Sequence, residues 1–262
     1  MPINLNPLIQ IIERLRGPDG CPWDRAQTTT TMVPALLEEL YEVIEAIENQ
    51  DGPNLQEELG DMLFVLLLTS HISQSEGLIQ QDAVVNEICD KMVRRHPHVF
   101  GDAELSLSEV RQNWADIKAK EKTRASRLDG IPENLPALQK ASRLGQKAAG
   151  VGFDWPDYMP VLEQVELELA ELKAAIQNQD ANEITHEIGD VLLSMASLSR
   201  HLKVDPEGAL RKANRRFTER FQHMEQSAKS DSRQLSELTP QELEMQWVEA
   251  KAYLQRQKDT QS

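Results

Sequence analysis

The sequence predicts an all-α protein built as two tandem copies of one helical-bundle unit, and three observations carry that prediction. Leu, Glu, Ala, Gln and Lys fill long stretches in which apolar residues recur at helical steps, and no sustained Val/Ile/Thr alternation marks a strand. Aromatic residues make up only 5% of the chain. An acidic quartet, Glu39, Glu42, Glu58 and Asp61, recurs as Glu168, Glu171, Glu187 and Asp190, 129 residues later at every position. A chain of 262 residues is long enough for two domains of common size, each able to bury a core. The expected boundaries are 1–125 and 138–262, with residues 126–137 as the linker in the stretch RLDGIPENLPAL.

The elements follow in order. An opening helix from about Leu5 to Arg16 ends where Gly17, Pro18 and Gly20 break it, and Pro22-Trp23-Asp24 begins a loop. Pro34 falls in the first turn of the next helix, which carries Glu38, Glu39 and Glu42, because a proline is tolerated there. Asp51-Gly52-Pro53 separates that helix from the one bearing Glu58 and Asp61. A third helix from about Gln81 runs into KMVRRHPHVF, and a polar helix around Trp114 closes the first half. The second half repeats the order: KASRLGQKAAG, the loop VGFDWPDYMP, two acidic helices, LRKANRRFTERF, and a last helix holding Trp247. Lys91, Arg94, Arg95 and Phe100 match Lys212, Arg215, Arg216 and Phe221 at a separation of 121, whereas Trp114 and Lys118 match Trp247 and Lys251 at 133. Such changes of offset are loop-length differences, which duplicated domains tolerate readily.

Each acidic pair has i, i+3 spacing and therefore projects from one helix face. Two such helices packed together bring four carboxylates to one point, where they repel one another and are costly to desolvate unless a cation sits among them. Asp61 opens the run MLFVLLL and Asp190 opens VLLSMASL, segments too apolar for a solvated face, and no Lys or Arg stands close in sequence. All-oxygen ligation selects a hard ion, Mg²⁺ first and Mn²⁺ second. Arg and Lys on a third helix suit phosphate oxygens, and a Trp followed one turn later by a Lys offers a face for a base or sugar; either Trp also fits a core position. A nucleoside triphosphate satisfies the whole set. Neither a GxxxxGK[ST] loop nor a GxGxxG turn is present, so phosphate recognition rests on side chains and metal.

Composition narrows the alternatives. A formal net charge of −15 argues against extended binding to a nucleic-acid backbone. Cys21 and Cys89 form no spaced framework and read as reduced thiols of a cytoplasmic protein. The N-terminus lacks a signal-type apolar core, and MLFVLLL is far too short to cross a bilayer. Glu183-x-x-His186 is similar to a half-motif of di-iron bundles, but that class needs it on two helices, and Asn54 and Glu57 stand at the matching positions. His201 and His223 read as solvent-facing or packing residues. Wide apolar helix faces, with only four or five helices per half, suggest bundles completed by a second subunit, a homodimer.

GCPWD, LLEELYEVIEAI, EELGDMLF, RRHPHVF, VGFDW and EIGDVLL together resemble the motifs of the MazG family, within the all-α NTP pyrophosphatase superfamily, over nearly the whole chain as a tandem pair. The family pattern EExxE followed by ExxD falls on Glu38, Glu39, Glu42, Glu58 and Asp61; in the second copy Leu167 replaces the first Glu. The resemblance implies hydrolysis of NTPs or dNTPs to the monophosphate and pyrophosphate by water attack at the α-phosphorus, broad in base specificity and serving nucleotide-pool control. A narrow dNTP-cleansing enzyme and a non-catalytic nucleotide-sensing or interaction protein are the alternative readings. It further implies that Glu168, Glu171, Glu187 and Asp190 hold Mg²⁺ and carry catalysis, that Arg216, Arg220 and Lys251 bind the phosphates, and that Trp247 borders the nucleoside. Glu39, Glu42, Glu58 and Asp61 form the second metal set, with Glu38, Arg95, Trp114 and Lys118 as further candidates. Arg216 and Arg220 lie one turn apart, whereas Val99 takes the place of the second arginine in the first copy and Pro97 interrupts its helix. The second copy is therefore the one expected to turn over.

Overall fold

A computed structural model describes the backbone of residues 4–101, 106, 109–110, 117 and 126–261, with side chains to 257. Trp114 and Lys118 lie outside the described residues. Helices, turns and irregular segments account for all described residues, with no strand among them. The chain divides into two compact units, Met1–Thr123 and Arg124–Ser262.

The first unit contains α1 (Asn6–Arg16), α2 (Pro22–Ala26), α3 (Val33–Asn49), α4 (Gly52–Ser75), α5 (Gln81–Arg95) and the single turn α6 (Pro97–Phe100). Two local expectations change. Pro22 starts the short helix α2 rather than a loop, its fixed φ suiting a first helical turn. Gly52-Pro53 likewise belongs to the first turn of α4, because Asp51 caps that helix by accepting the Asn54 N–H at 3.1 Å. The core forms where α1 and α3 lie on α4: Ile12, Met32, Val65, Leu68 and Ile72 are buried, with Leu8, Leu36, Phe64 and Leu67 packed around them.

The second unit contains α7 (Ala137–Ala149), α8 (Tyr158–Asn178), α9 (Ala181–His201), α10 (Pro206–Ser230), a 3₁₀ turn at Leu235–Glu237 and α11 (Pro240–Gln261). Helix α9 packs on α8 and α7, and α10 pairs with α11 while touching α7 and α9. Val161, Val165, Ala175, Ala196, Met224, Ala228 and Ala250 are buried. No described helix is long and apolar enough to cross a membrane.

The same hairpin joins the acidic helices in both units. Gln50 and Gln179, 129 residues apart, both adopt the left-handed conformation, with φ of 56° and 57°. The next residue sends its N–H back to the buried Ala46 or Ala175 carbonyl, closing the helix end, while its side chain caps the following helix. Asp180 accepts N–H bonds from Asn182 and Glu183 at 3.0 and 3.2 Å, as Asp51 does from Asn54. A turn satisfied at both ends fixes the register of one helix on the other, and with it the meeting of the carboxylates.

Candidate active site

In the first unit Glu39 on α3 meets Glu58 and Asp61 on α4, with one oxygen of each lying within 4.8 Å of the other two. In the second, Glu168 and Glu171 on α8 meet Glu187 on α9 within the same limit. Each hairpin thus assembles three of its expected four acids. Glu42 falls outside the first triad yet is near enough to raise the pKa of both Glu39 and Glu58. Asp190 falls outside the second because its carboxylate turns to His186 Nε2, one helical turn earlier, at 3.3 Å.

Electrostatics shows how crowded these sites are. Burial is the first cause of the raised pKa of Glu39, followed by the charges of Glu42, Asp61, Glu58 and Glu38. Glu58 is raised by burial and then by Glu42, Glu57 and Asp61. Glu187 is raised by burial and then by Glu171, with Glu168 and Asp190 adding and His186 opposing. Among the described residues no Lys or Arg forms an ion pair with any of the eight acids. Glu39 Oε2 and Glu187 Oε2 are buried with no hydrogen-bond partner in the protein, a costly state for an acceptor. Carboxylate-only donors of this density, with orphaned oxygens among them, fit a hard divalent cation. Oxygens on opposite sides of a hard divalent cation stand roughly 4–5 Å apart, the scale of each triad.

One contact distinguishes the two clusters. Gln164 donates its amide N–H to Glu168 Oε1 at 2.7 Å, fixing a carboxylate that is only 9% exposed. At the matching position of the first unit stands Ala35, which has no such donor. Sequence reading missed Gln164, although its place one helical turn before Glu168 was the available signal.

The basic residues sit on the neighbouring helix pair. Helix α10 runs without a break through Arg216 and Arg220, and the Arg220 guanidinium lies 5.4 Å from the centre of the Trp247 ring on α11. Phe217 also meets that indole, with ring centres 5.1 Å apart, and Trp247 is half-buried. Arg216 and Lys251 are exposed. Among the described residues no hydrogen bond or ion pair joins this basic group to the acidic set. In the first unit the chain bends at His96 (φ −122°, ψ 58°), α5 stops at Arg95, and α6 restarts at Pro97, leaving Val99 exposed. Glu38 is exposed beside its triad.

Two expected bystanders have definite partners. His201 lies 3.0 Å from the Asp154 carboxylate, which also receives two Arg200 hydrogen bonds of 2.8 and 2.5 Å. Asp154 is thereby held at about 2, chiefly by Arg200, and pins the VGFDW loop to the end of α9. His223 stacks on Tyr253 at 4.3 Å. Cys21 and Cys89 are unbridged.

Known proteins complete the picture. The family described as MazG nucleotide pyrophosphohydrolase domain matches twice, over residues 27–100 and 159–225. Nucleoside triphosphate pyrophosphohydrolase/pyrophosphatase MazG of Thermotoga maritima is 44% identical over 246 residues, covering 93% of this chain and 94% of that one. Nucleoside triphosphate pyrophosphohydrolase of Escherichia coli (strain K12) is 38% identical over 254 residues, covering 94% and 97%. A solved structure titled as a mazG-related protein from Thermotoga maritima has 35% identity and a TM-score of 0.39, covering 43% of this chain and 97% of that one. Duplicated acidic hairpins in an all-helical chain, with relatives so named, define a nucleoside triphosphate pyrophosphohydrolase. The chain belongs to the MazG family, both of its halves carrying the family's domain.

Proposed function

We propose that the chain converts NTPs and dNTPs to the monophosphate and pyrophosphate with broad base specificity, using Mg²⁺, for which Mn²⁺ substitutes, and that the second unit performs the turnover. The observation that carries this reading is the triad of Glu168, Glu171 and Glu187, with its orphaned oxygen, beside an unbroken α10. These three residues and Asp190 would hold the metal. The bound ion would neutralise phosphate charge and lower the pKa of a water. A carboxylate of the set not committed to metal accepts the proton of the attacking water. The water oxygen bonds to the α-phosphorus as the bond to the bridging oxygen breaks and pyrophosphate departs in line. Arg216, Arg220 and Lys251 hold the phosphates and the leaving group, and Trp247 borders the nucleoside. Gln164 keeps Glu168 in one rotamer for this purpose.

Glu39, Glu42, Glu58 and Asp61 form a second metal set whose phosphate-binding side, with Glu38, Arg95, Trp114 and Lys118 as its candidates, is impaired by the break at Pro97. The exposed apolar side chains Ile188, Leu192, Leu193 and Met195 on α9 support a homodimer. A cytoplasmic role in nucleotide-pool control accords with such chemistry. The deciding experiment measures pyrophosphate release by Glu171→Gln and Glu42→Gln across a panel of NTPs and dNTPs with Mg²⁺. Loss of roughly 100-fold or more is expected for the first and less than about threefold for the second. Equal losses reject the assignment to the second unit, and orthophosphate as product rejects the reaction.

A further inference from the structure

We infer that the pocket bounded by α7, the end of α9 and the start of α10 binds the phosphate group of a small anionic ligand, at a site separate from the acidic hairpin. The pocket has a volume of about 400 Å³, and its polar lining includes Ser142, Arg143, Gln146, Arg200, Lys203 and Asp205. Two of its charges are spent within the protein. Arg200 is paired to Asp154, and Asp205 accepts the Gly208 N–H at 3.0 Å and lies 3.8 Å from Arg211. Among the described residues the Arg143 guanidinium bonds only a neutral group, the Gln146 side-chain oxygen at 3.0 Å, and Lys203 is exposed. The net local charge is therefore positive, in a chain whose formal charge is −15.

The donors suit an oxyanion. Arg200 Nε is buried against Gly145 with no hydrogen-bond partner, so Arg200 gives the pocket its charge rather than a free donor. Ser142, only 8% exposed, adds a hydroxyl, and Arg143 supplies a forked donor that matches phosphate oxygens. At the 129-residue offset the first unit keeps Arg14 in the place of Arg143 but has His71 where Arg200 stands, and Gly77 (φ 74°), not a lysine, takes the left-handed position after its helix. The combination of Arg143, Arg200 and Lys203 is therefore confined to the second unit. Arg200 lies thirteen residues beyond Glu187 on the same helix, roughly 20 Å along its axis, so the two sites are distinct.

The test is calorimetric titration of the full chain in chelator with inorganic phosphate and, separately, with AMP. Three proteins are compared: wild type, Arg143→Gln/Lys203→Asn, and Arg216→Gln/Arg220→Gln. Asn suits the left-handed backbone of Lys203, whose φ is 60°, so the first double variant removes charge without straining the turn. The expected result is saturable binding to wild type, weakened about tenfold or more by Arg143→Gln/Lys203→Asn and unchanged by Arg216→Gln/Arg220→Gln. Whichever probe binds more tightly identifies the source as free phosphate or a nucleotide. The turnover number at saturating NTP stays at the wild-type value in Arg143→Gln/Lys203→Asn, which separates this site from the proposed active site. No saturable binding of either probe overturns the inference, as does binding that survives loss of Arg143 and Lys203. Should that double variant melt early, Lys203→Asn alone is expected to weaken binding at least threefold, and unchanged binding overturns the inference.

Discussion

Replacing Asp154 by Asn should weaken the second unit by an amount that the geometry allows to be worked out. The Asp154 carboxylate receives two hydrogen bonds from Arg200 and one contact from His201, joining the loop before α8 to the end of α9. Its pKa is held at about 2 against an ordinary 3.8, Arg200 being the largest cause. At about 1.4 kcal/mol per pH unit, that depression corresponds to about 2.5 kcal/mol in favour of the folded state. Because 24% of the side chain meets solvent, screening reduces the expected contribution to about 1–2 kcal/mol. Asparagine keeps the shape and removes the charge, leaving Arg200 without its counterion. The assay is urea unfolding of wild type and Asp154→Asn at pH values from 7 down to 3. A depressed folded-state pKa gives stability that is complete above the unfolded value and lost as pH falls through the folded one. The gap between the two proteins should therefore be widest at pH 7 and begin to narrow below about pH 4.5. Equal stabilities at pH 7, or a gap that widens on acidification, would refute the charge-clamp argument.

Two other expectations concern the site itself. With divalent ions chelated, wild type should gain stability as pH falls from 7 towards the ordinary carboxylate range, because the raised pKa values of Glu39, Glu58 and Glu187 make the folded state take up protons before the unfolded chain does. Thermal melts of Glu187→Gln should show a higher midpoint than wild type at pH 7 in chelator and a smaller gain on adding Mg²⁺; a lower midpoint would count against crowded anions. Thr218 occupies the position in α10 that Pro97 occupies in the first unit, 121 residues earlier. Thr218→Pro should cost about 3 kcal/mol and raise the KM for NTP at least tenfold, measured well below its melting temperature, while Thr218→Ala stays within twofold. A wild-type KM in folded Thr218→Pro would show that binding does not depend on Arg216 and Arg220 sharing one straight helix.

The linear chain by itself determined the duplication, the helical class and the eight acids, because i, i+3 spacing, a constant 129-residue offset and apolar periodicity are local properties of the string. Pro97 announced the end of α5 for the same reason: a missing N–H and a ring clash act within one helical turn. The three-dimensional packing decided the rest. Spacing alone made Asp190 and Glu42 equal members of their quartets, yet each triad leaves one of them out, since rotamers answer to neighbours such as His186. Gln164 on Glu168, Asp154 on Arg200 and the basic pocket behind α9 arise from side chains meeting at particular angles. Two of these link residues more than forty positions apart, or two helices and the turn after α9, and periodicity carries no information at that range. The sequence names which groups carry charge, but only the fold decides which of those charges find partners.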